Sequence, residues 1–114
     1  MKVVCEKHDG IGIVKASGQL TAASTDAFHE QVSSWQEVEG EVVSFVLDMS
    51  DVDFIDSAGL GALIVTLKRA TERGGDMKIS NLQKKPRMVF QITRAHKIFE
   101  IYDTVNEAIH SYNA

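Results

Sequence analysis

The chain has 114 residues, 44% hydrophobic and 25% charged, proportions typical of a globular fold, so residues 1–114 are predicted to form a single domain. A net charge of −4 gives no general attraction to phosphate backbones or anionic lipid, which argues against nucleic acid and direct membrane contact. Cys5 is the only cysteine, which excludes an internal disulfide. No segment approaches the ~20 apolar residues that cross a bilayer, so we expect a cytoplasmic protein.

The first predicted elements are an antiparallel hairpin and an amphipathic helix. Asp9-Gly10 lies between two apolar-rich runs, residues 3–8 and 11–16, and suits the positive φ angles of a two-residue turn. From Thr25 to about Gly40, apolar residues recur every three or four positions and predict one buried helix face, formed by Phe28, Val32, Trp35 and Val38. Capping candidates before this face are Thr21, Ser24 and Thr25.

A buried strand and a second helix are predicted next. The near-continuous apolar run at residues 42–47 is typical of a central strand covered on both faces. After an acidic connection, a helix begins near Ser57, and Gly74 provides a left-handed stop at its end. The buried face of this helix is predicted to contain Leu60, Leu63, Ile64 and Leu67.

The last part of the chain predicts a strand at residues 77–80, a third helix with Pro86 in its first turn and a brief extended segment at residues 98–101. The third helix carries Met88, Val89, Ile92 and Thr93 at helical spacing. Thr104 and Glu107 form a capping-box pair for a final helix, which should dock through Val105, Ala108, Ile109 and Tyr112. This order predicts an α/β fold: a mixed, mainly parallel sheet with an N-terminal antiparallel hairpin and about four helices.

Functional residues are expected where the central strand connects to the second helix, because ligands of such folds bind at the carboxyl ends of the strands. This connection contains Asp51, Asp53, Asp56 and Ser57. Ser57 has three possible roles: helix cap, nucleophile or phosphate acceptor. Asp56 competes with it as the cap.

Two glycines follow in the first turn of the same helix. Gly59 and Gly61 each disfavour a helix by ~0.8 to 1 kcal/mol relative to alanine, so a compensating reason is required. We predict close approach of another backbone, either within the fold or from a docking protein.

Several chemistries fit this segment poorly. Gly59-Leu60-Gly61 lacks the third glycine of a dinucleotide fingerprint, and Ile55 stands where a hydrolase nucleophile elbow needs glycine. The spacing of the four aspartates at 48, 51, 53 and 56 does not match a calcium loop. No local catalytic pattern includes any of the histidines, which are His8, His29, His96 and His110. We therefore predict no metal, no cofactor and no catalytic residue.

The segment Leu47-Asp48-Met49-Ser50-Asp51-Val52-Asp53-Phe54-Ile55-Asp56-Ser57-Ala58-Gly59-Leu60-Gly61 closely resembles the signature of the STAS domain, the fold of bacterial anti-sigma factor antagonists. The resemblance extends over essentially the whole chain. It implies that Ser57 is phosphorylated by a cognate anti-sigma factor that is itself a serine kinase. The unphosphorylated protein would bind this kinase and free a sigma factor, and a phosphatase would reset the switch.

The same resemblance places the partner surface on six residues: Asp56, Ser57, Ala58, Gly59, Leu60 and Gly61. Two departures from the family pattern are visible. Gly18-Gln19-Leu20-Thr21 stands where the family often has Gly-Glu-Leu-Asp, and Ala58 replaces a second hydroxyl beside the acceptor. The alternatives are a scaffold subunit of a stressosome-like or lipid-transport complex, with Ser57 mainly a cap, and a small hydrolase. The sequence assigns no oligomeric state.

Overall fold

A computed structural model describes residues 1–40 and 42–113. Its elements in chain order are strands β1 (Lys2–His8) and β2 (Ile11–Leu20), helix α1 (Thr25–Val38), strand β3 (Phe45–Ile55), helix α2 (Ser57–Glu72), strand β4 (Met77–Ser80), helix α3 (Lys84–Ile92), a short 3-10 helix (Ala95–Lys97), strand β5 (Ile101–Tyr102) and helix α4 (Val105–Tyr112). The predicted mixed α/β class is confirmed.

The five strands form one sheet in the order β1-β2-β3-β4-β5. Strands β1 and β2 are antiparallel, as predicted, and the three remaining pairs are parallel. Asp9 and Gly10 have φ angles of 50° and 81°, so the turn has the positive φ values expected from the Asp-Gly pair. Strand β3 lies at the centre of the sheet, which confirms the prediction from its apolar run.

The core lies on both faces of the sheet, because alternate residues of β3 point to opposite sides. Phe45 and Leu47 belong to the larger cluster, which also contains Phe28 of α1, Leu63 of α2 and Phe90 of α3. Val46 belongs to a smaller cluster with Ala108 and Ile109 of α4. The predicted docking of the final helix is confirmed. Thr104 caps it, its hydroxyl accepting a hydrogen bond from the Glu107 amide at 3.1 Å.

The buried face predicted for the first helix is largely confirmed. Phe28 is fully buried and Val32 nearly so, while Trp35 packs edge-on against Phe45. Val38 is the exception, with 81% of its surface exposed, because α1 ends at this residue. Gly74 has a φ angle of 85°, as predicted for the left-handed stop after α2.

Several other sequence predictions require correction. Ile64, assigned to the buried face of the second helix, is exposed, and β3 begins at Phe45 rather than at residue 42. Strand β3 continues to Ile55, so Asp51 and Asp53 lie in the strand and not in a connection. The last strand is Ile101–Tyr102, and Ile98 precedes it at an exposed position. Helix α3 buries Pro86 and Phe90, while Met88 and Ile92 are exposed. No helix in the described residues is long and apolar enough to cross a membrane.

Candidate functional site

The candidate site lies at the carboxyl end of β3, where a single residue, Asp56, separates the strand from α2. Asp56 has an extended backbone, and its side-chain Oδ1 accepts a hydrogen bond from the Gly59 amide at 2.8 Å. Asp56 is therefore the N-cap of α2. The interpretation of Ser57 as the cap is wrong, because Ser57 is already the first helical residue and lies one position too late.

Ser57 is exposed, and no hydrogen bond of its hydroxyl to another described residue is present. The helix begins at Ser57, so its hydroxyl lies beside the positive end of the α2 dipole. Because Asp56 caps the helix, the Ser57 hydroxyl is not needed for capping. This position fits a group that is modified or contacted from outside.

The loop between β2 and α1 lies beside Ser57, although it is more than thirty residues away in the chain. The Asp56 amide donates to the Leu20 carbonyl at 3.2 Å. The Ala22 amide donates to Oδ2 of Asp56, also at 3.2 Å. The segment Gly18-Gln19-Leu20-Thr21, where the sequence departs from the family pattern, therefore borders the site. The contact of Asp56 with this loop was not predicted from the sequence. Its signals were the departure at Gln19 and Thr21 and the close backbone approach expected at the α2 glycines.

The two glycines of α2 differ in their surroundings. A Cβ on Gly59 would overlap the carbonyl oxygen of Leu20, so the predicted close approach of another backbone is confirmed there. A Cβ on Gly61 would meet no described atom within 4 Å. The fold therefore gives no packing reason for Gly61, and approach of a docking protein remains the prediction for this position.

The six residues of the expected partner surface are not equally accessible. Ser57 and Ala58 are exposed, and Asp56 and Gly61 are partly buried. Gly59 and Leu60 are buried and form part of the packing beneath. A partner at this surface would meet the first turn of α2 mainly through the accessible four.

The aspartates near the site have separate roles. Oδ1 of Asp48 accepts hydrogen bonds from the Ser50 amide and the Asn81 side chain, both at 3.0 Å. Asp51 lies 3.4 Å from Nζ of Lys15. Asp53 is exposed, and Asp56 caps the helix. Within residues 1–40 and 42–113, no group of three or more His, Cys, Asp or Glu side chains is placed to hold a metal ion.

The pKa of Asp56 is lowered, chiefly by the hydrogen bond from the Gly59 amide, with a smaller contribution from Ala22 and an opposing effect of desolvation. The charged carboxylate is thus favoured in the folded protein. Its contribution to stability is fully present above the pKa of the unfolded chain, about 4. That contribution is lost as the pH falls through the lower pKa of the folded state.

Replacing Asp56 with asparagine should therefore lower stability near neutral pH and have a smaller effect in acid. Asparagine keeps a side-chain oxygen that can accept from Gly59, but it lacks the charge. Urea unfolding of both proteins between pH 2 and pH 7 measures the difference in the free energy of unfolding. We expect this difference to narrow below about pH 4. A difference that stays constant with pH would contradict the assigned role of the charge.

The family of the chain follows from comparison with known proteins. The STAS domain family model matches residues 2–108, and the chain belongs to this family. An anti-sigma F factor antagonist of Paenibacillus polymyxa is 26% identical over 109 residues, covering 96% of this chain and 92% of that protein.

Solved structures agree with this assignment. The crystal structure of the Thermotoga maritima protein TM1081 has a TM-score of 0.89 at 26% identity and covers 98% of this chain and 95% of that one. SpoIIAA of Bacillus has been solved unphosphorylated, with a TM-score of 0.72, 19% identity and 99% of each chain covered. It has also been solved phosphorylated, with the same score and identity and 97% of this chain and 99% of that one covered. At this identity the likeness to SpoIIAA concerns the fold alone.

Proposed function

We propose that this protein is an anti-sigma factor antagonist whose binding is switched by phosphorylation of Ser57. The unmodified protein binds an anti-sigma factor that is a serine kinase, and this binding frees a sigma factor. The observation that carries the proposal is the exposed Ser57 hydroxyl on the first residue of α2, beside a carboxylate that already caps the helix. The names of the relatives supply the class of partner.

The protein acts as the substrate of this reaction and not as its catalyst. The kinase transfers the γ-phosphoryl group of ATP to Oγ of Ser57, the hydroxyl proton is released and ADP leaves. A phosphatase restores the hydroxyl by hydrolysis. Exposure of Ser57 is what such an exchange requires, because two different enzymes must reach the same oxygen.

The fold should tolerate the phosphate. A phosphoserine carries about −1.5 to −2 charges near neutral pH, and an anion at a helix N-terminus is stabilised by the dipole. The Ser57 hydroxyl makes no hydrogen bond to a described residue that modification would break. A protein of the same fold exists in both unphosphorylated and phosphorylated forms, which supports this expectation.

Partner binding should respond differently. A protein docked over the start of α2 would have to desolvate the phosphate next to the Asp56 carboxylate, two groups of like charge. Every 1.4 kcal/mol of such a penalty weakens binding about tenfold. Phosphorylation is thus proposed to control binding and not folding.

Gly61 supports docking at this surface. It carries the helix-propensity penalty of glycine, while the space around its Cα is open. A partner backbone that packs against α2 would use this space. The helix-propensity penalty of Gly61 in the free protein would then be offset by contacts in the complex.

The proposal is tested by mass measurement on the protein recovered from its native cells. We expect a fraction carrying the mass of one phosphoryl group, and peptide mapping should place it on Ser57. Ser50 is a suitable internal comparison because it precedes the same site in β3 and should remain unmodified. Absence of phosphate on Ser57 under both growth and stress would overturn the switch and favour the scaffold alternative.

A further inference from the structure

An open apolar groove of about 250 Å³ lies between the end of β3 and helix α3. Its lining consists of Phe54, Ile55, Lys85, Met88, Val89 and Ile92. Three of these side chains are strongly exposed: Phe54 by 43%, Met88 by 48% and Ile92 by 78%. Large apolar side chains gathered at one place on a surface mark an interaction site more often than single exposed ones do.

The groove results from the way α3 packs. The helix buries Pro86 and Phe90 against the sheet, and Phe90 contacts Phe99 with ring centroids 5.7 Å apart. Met88 and Ile92 are four residues apart and therefore lie on the same side of the helix, next to Phe54 at the end of β3. No described residue covers these three side chains, which stay exposed.

The segment that contains helix α3 is strongly basic. Residues 81–99 contain no aspartate or glutamate, although the whole chain has a net charge of −4. They contain five cations: Lys84, Lys85, Arg87, Arg94 and Lys97. Arg87 lies 3.9 Å from Asp103, and the other four form no ion pair with a described residue. Of the unpaired cations, Lys85 lines the groove and Lys84 is its neighbour at the start of α3. The groove is therefore complementary to an apolar segment that carries acidic residues.

We propose that this groove binds an acidic amphipathic helix of the anti-sigma factor, as a second contact beside Ser57. The apolar face of that helix packs against Phe54, Met88 and Ile92, and its acidic residues face Lys84 and Lys85. The groove itself defines the chemistry of the segment. The identity of the partner rests on the proposed function.

The position of the groove also connects it to the switch. Phe54 precedes Ser57 by three residues, a chain distance of no more than ~10 Å. This is about one Debye length at moderate ionic strength, so a phosphate on Ser57 repels an acidic segment seated in the groove. Phosphorylation would thereby weaken both contacts with the same partner.

The charge pattern disfavours two other occupants. Two copies of this chain packed groove to groove would bring the unpaired cations of both α3 helices together, which opposes association. The net charge of −4 of the whole chain opposes contact with an anionic bilayer. Both occupants are kept as outcomes of the test.

The test uses two synthetic amphipathic helices of leucine with either glutamate or lysine at the polar positions. Each is titrated into the isotopically labelled, unphosphorylated protein and followed by NMR. We expect the glutamate peptide to shift the signals of Phe54, Met88 and Ile92, and the lysine peptide to bind at least about tenfold more weakly. Reversing the charges in a Lys84→Glu, Lys85→Glu double variant should invert this preference.

A matched pair of variants tests the apolar contact. Ile92→Glu should weaken binding of the glutamate peptide, and of the purified anti-sigma factor, by at least about tenfold. Val38→Glu places the same charge at an equally exposed apolar residue, 81% against 78%, on a different helix, and should have no effect. Both sites are exposed, so both variants should fold, which circular dichroism checks.

Four results would overturn the inference. The two peptides could bind equally, or the NMR signals that shift could belong to residues outside the groove. The protein could instead self-associate in a way that Ile92→Glu abolishes, or bind phosphatidylglycerol vesicles and not the peptide. The peptide experiment involves neither Ser57 phosphate nor the anti-sigma factor. Its failure would therefore leave the proposed switch standing. Conversely, an unmodified Ser57 in cells together with specific peptide binding would remove the switch and the assigned partner but keep the chemistry of the groove.

Discussion

Replacing Gly59 with alanine is expected to lower the free energy of unfolding by about 3 kcal/mol, the upper part of the range for an overpacked site. The added Cβ would overlap the carbonyl oxygen of Leu20 and lie 2.7 Å from its carbonyl carbon and 3.0 Å from Cγ1 of Ile55. Two of these atoms belong to backbone, which cannot rotate away as a flexible side chain does. The start of α2 would have to move away from the β2–α1 loop.

Gly61→Ala is the matched control, since it makes the same change two residues later in the same helix. A Cβ there meets no described atom within 4 Å, so only helix propensity changes. We expect the free energy of unfolding to rise by about 0.5 to 1 kcal/mol. Urea unfolding of the three proteins under one condition measures both effects. Equal destabilisation by the two substitutions would contradict the assignment of the close approach to Gly59.

A packing role for Gly59 also explains why it would matter for function without touching a partner. Its contact with Leu20 holds the β2–α1 loop against the start of α2, where Asp56 binds the Ala22 amide. The surface around Ser57 is therefore built from two parts of the chain held together at one glycine. Gly61 has no such packing role within the described residues. The open space around it is therefore the basis for proposing that a partner packs there.

Much of the fold could be predicted because the strongest signals are local. Asp9-Gly10 specifies the hairpin turn through its own φ angles, and the apolar run into Leu47 needs cover on both faces. Thr104 caps its helix with a contact only three residues away. The family signature then placed the candidate site after the central strand, and Asp56 and Ser57 directly follow β3 in the structure.

The errors occurred where pairing between distant segments overrides local composition. Asp51 and Asp53 were predicted to lie in a connection, but they belong to β3. The strand continues through them because the ten-residue strand β2 pairs with it, with Ser17 opposite Asp51. Ile64 was assigned to the buried face of α2 by its spacing, although its side chain is exposed. Periodicity identifies an apolar face without showing whether the fold or a partner covers it.

Contacts between groups far apart in the chain could not be predicted from the sequence. Lys78 is almost fully buried, although lysine is seldom found inside, because Nζ lies 2.7 Å from Oγ of Ser111 and 4.2 Å from the centre of the Tyr112 ring. The hydrogen bond that the Ala22 backbone amide donates to the Asp56 side chain also joins distant parts of the chain. Each depends on the assembled fold and has no local pattern.

Replacing Ser57 with aspartate is expected to weaken binding of the anti-sigma factor by about 100-fold, because it places a permanent charge next to Asp56 within the proposed interface. The fold should remain intact. An acidic residue in the first turn of a helix is favourable, so the free energy of unfolding should stay the same or rise by up to about 1 kcal/mol. Loss of binding without loss of stability separates a binding switch from a folding defect.

Ser57→Ala is the control that separates charge from loss of the hydroxyl. It should bind with wild-type affinity, because the hydroxyl makes no hydrogen bond to a described residue, and it should accept no phosphate. The measurement is calorimetric titration with the anti-sigma factor captured from the native cells on the unmodified protein and then purified. Wild-type affinity of Ser57→Asp would refute the switch. Equal loss in both variants would instead show that the partner requires the hydroxyl itself, and charge would no longer explain the regulation.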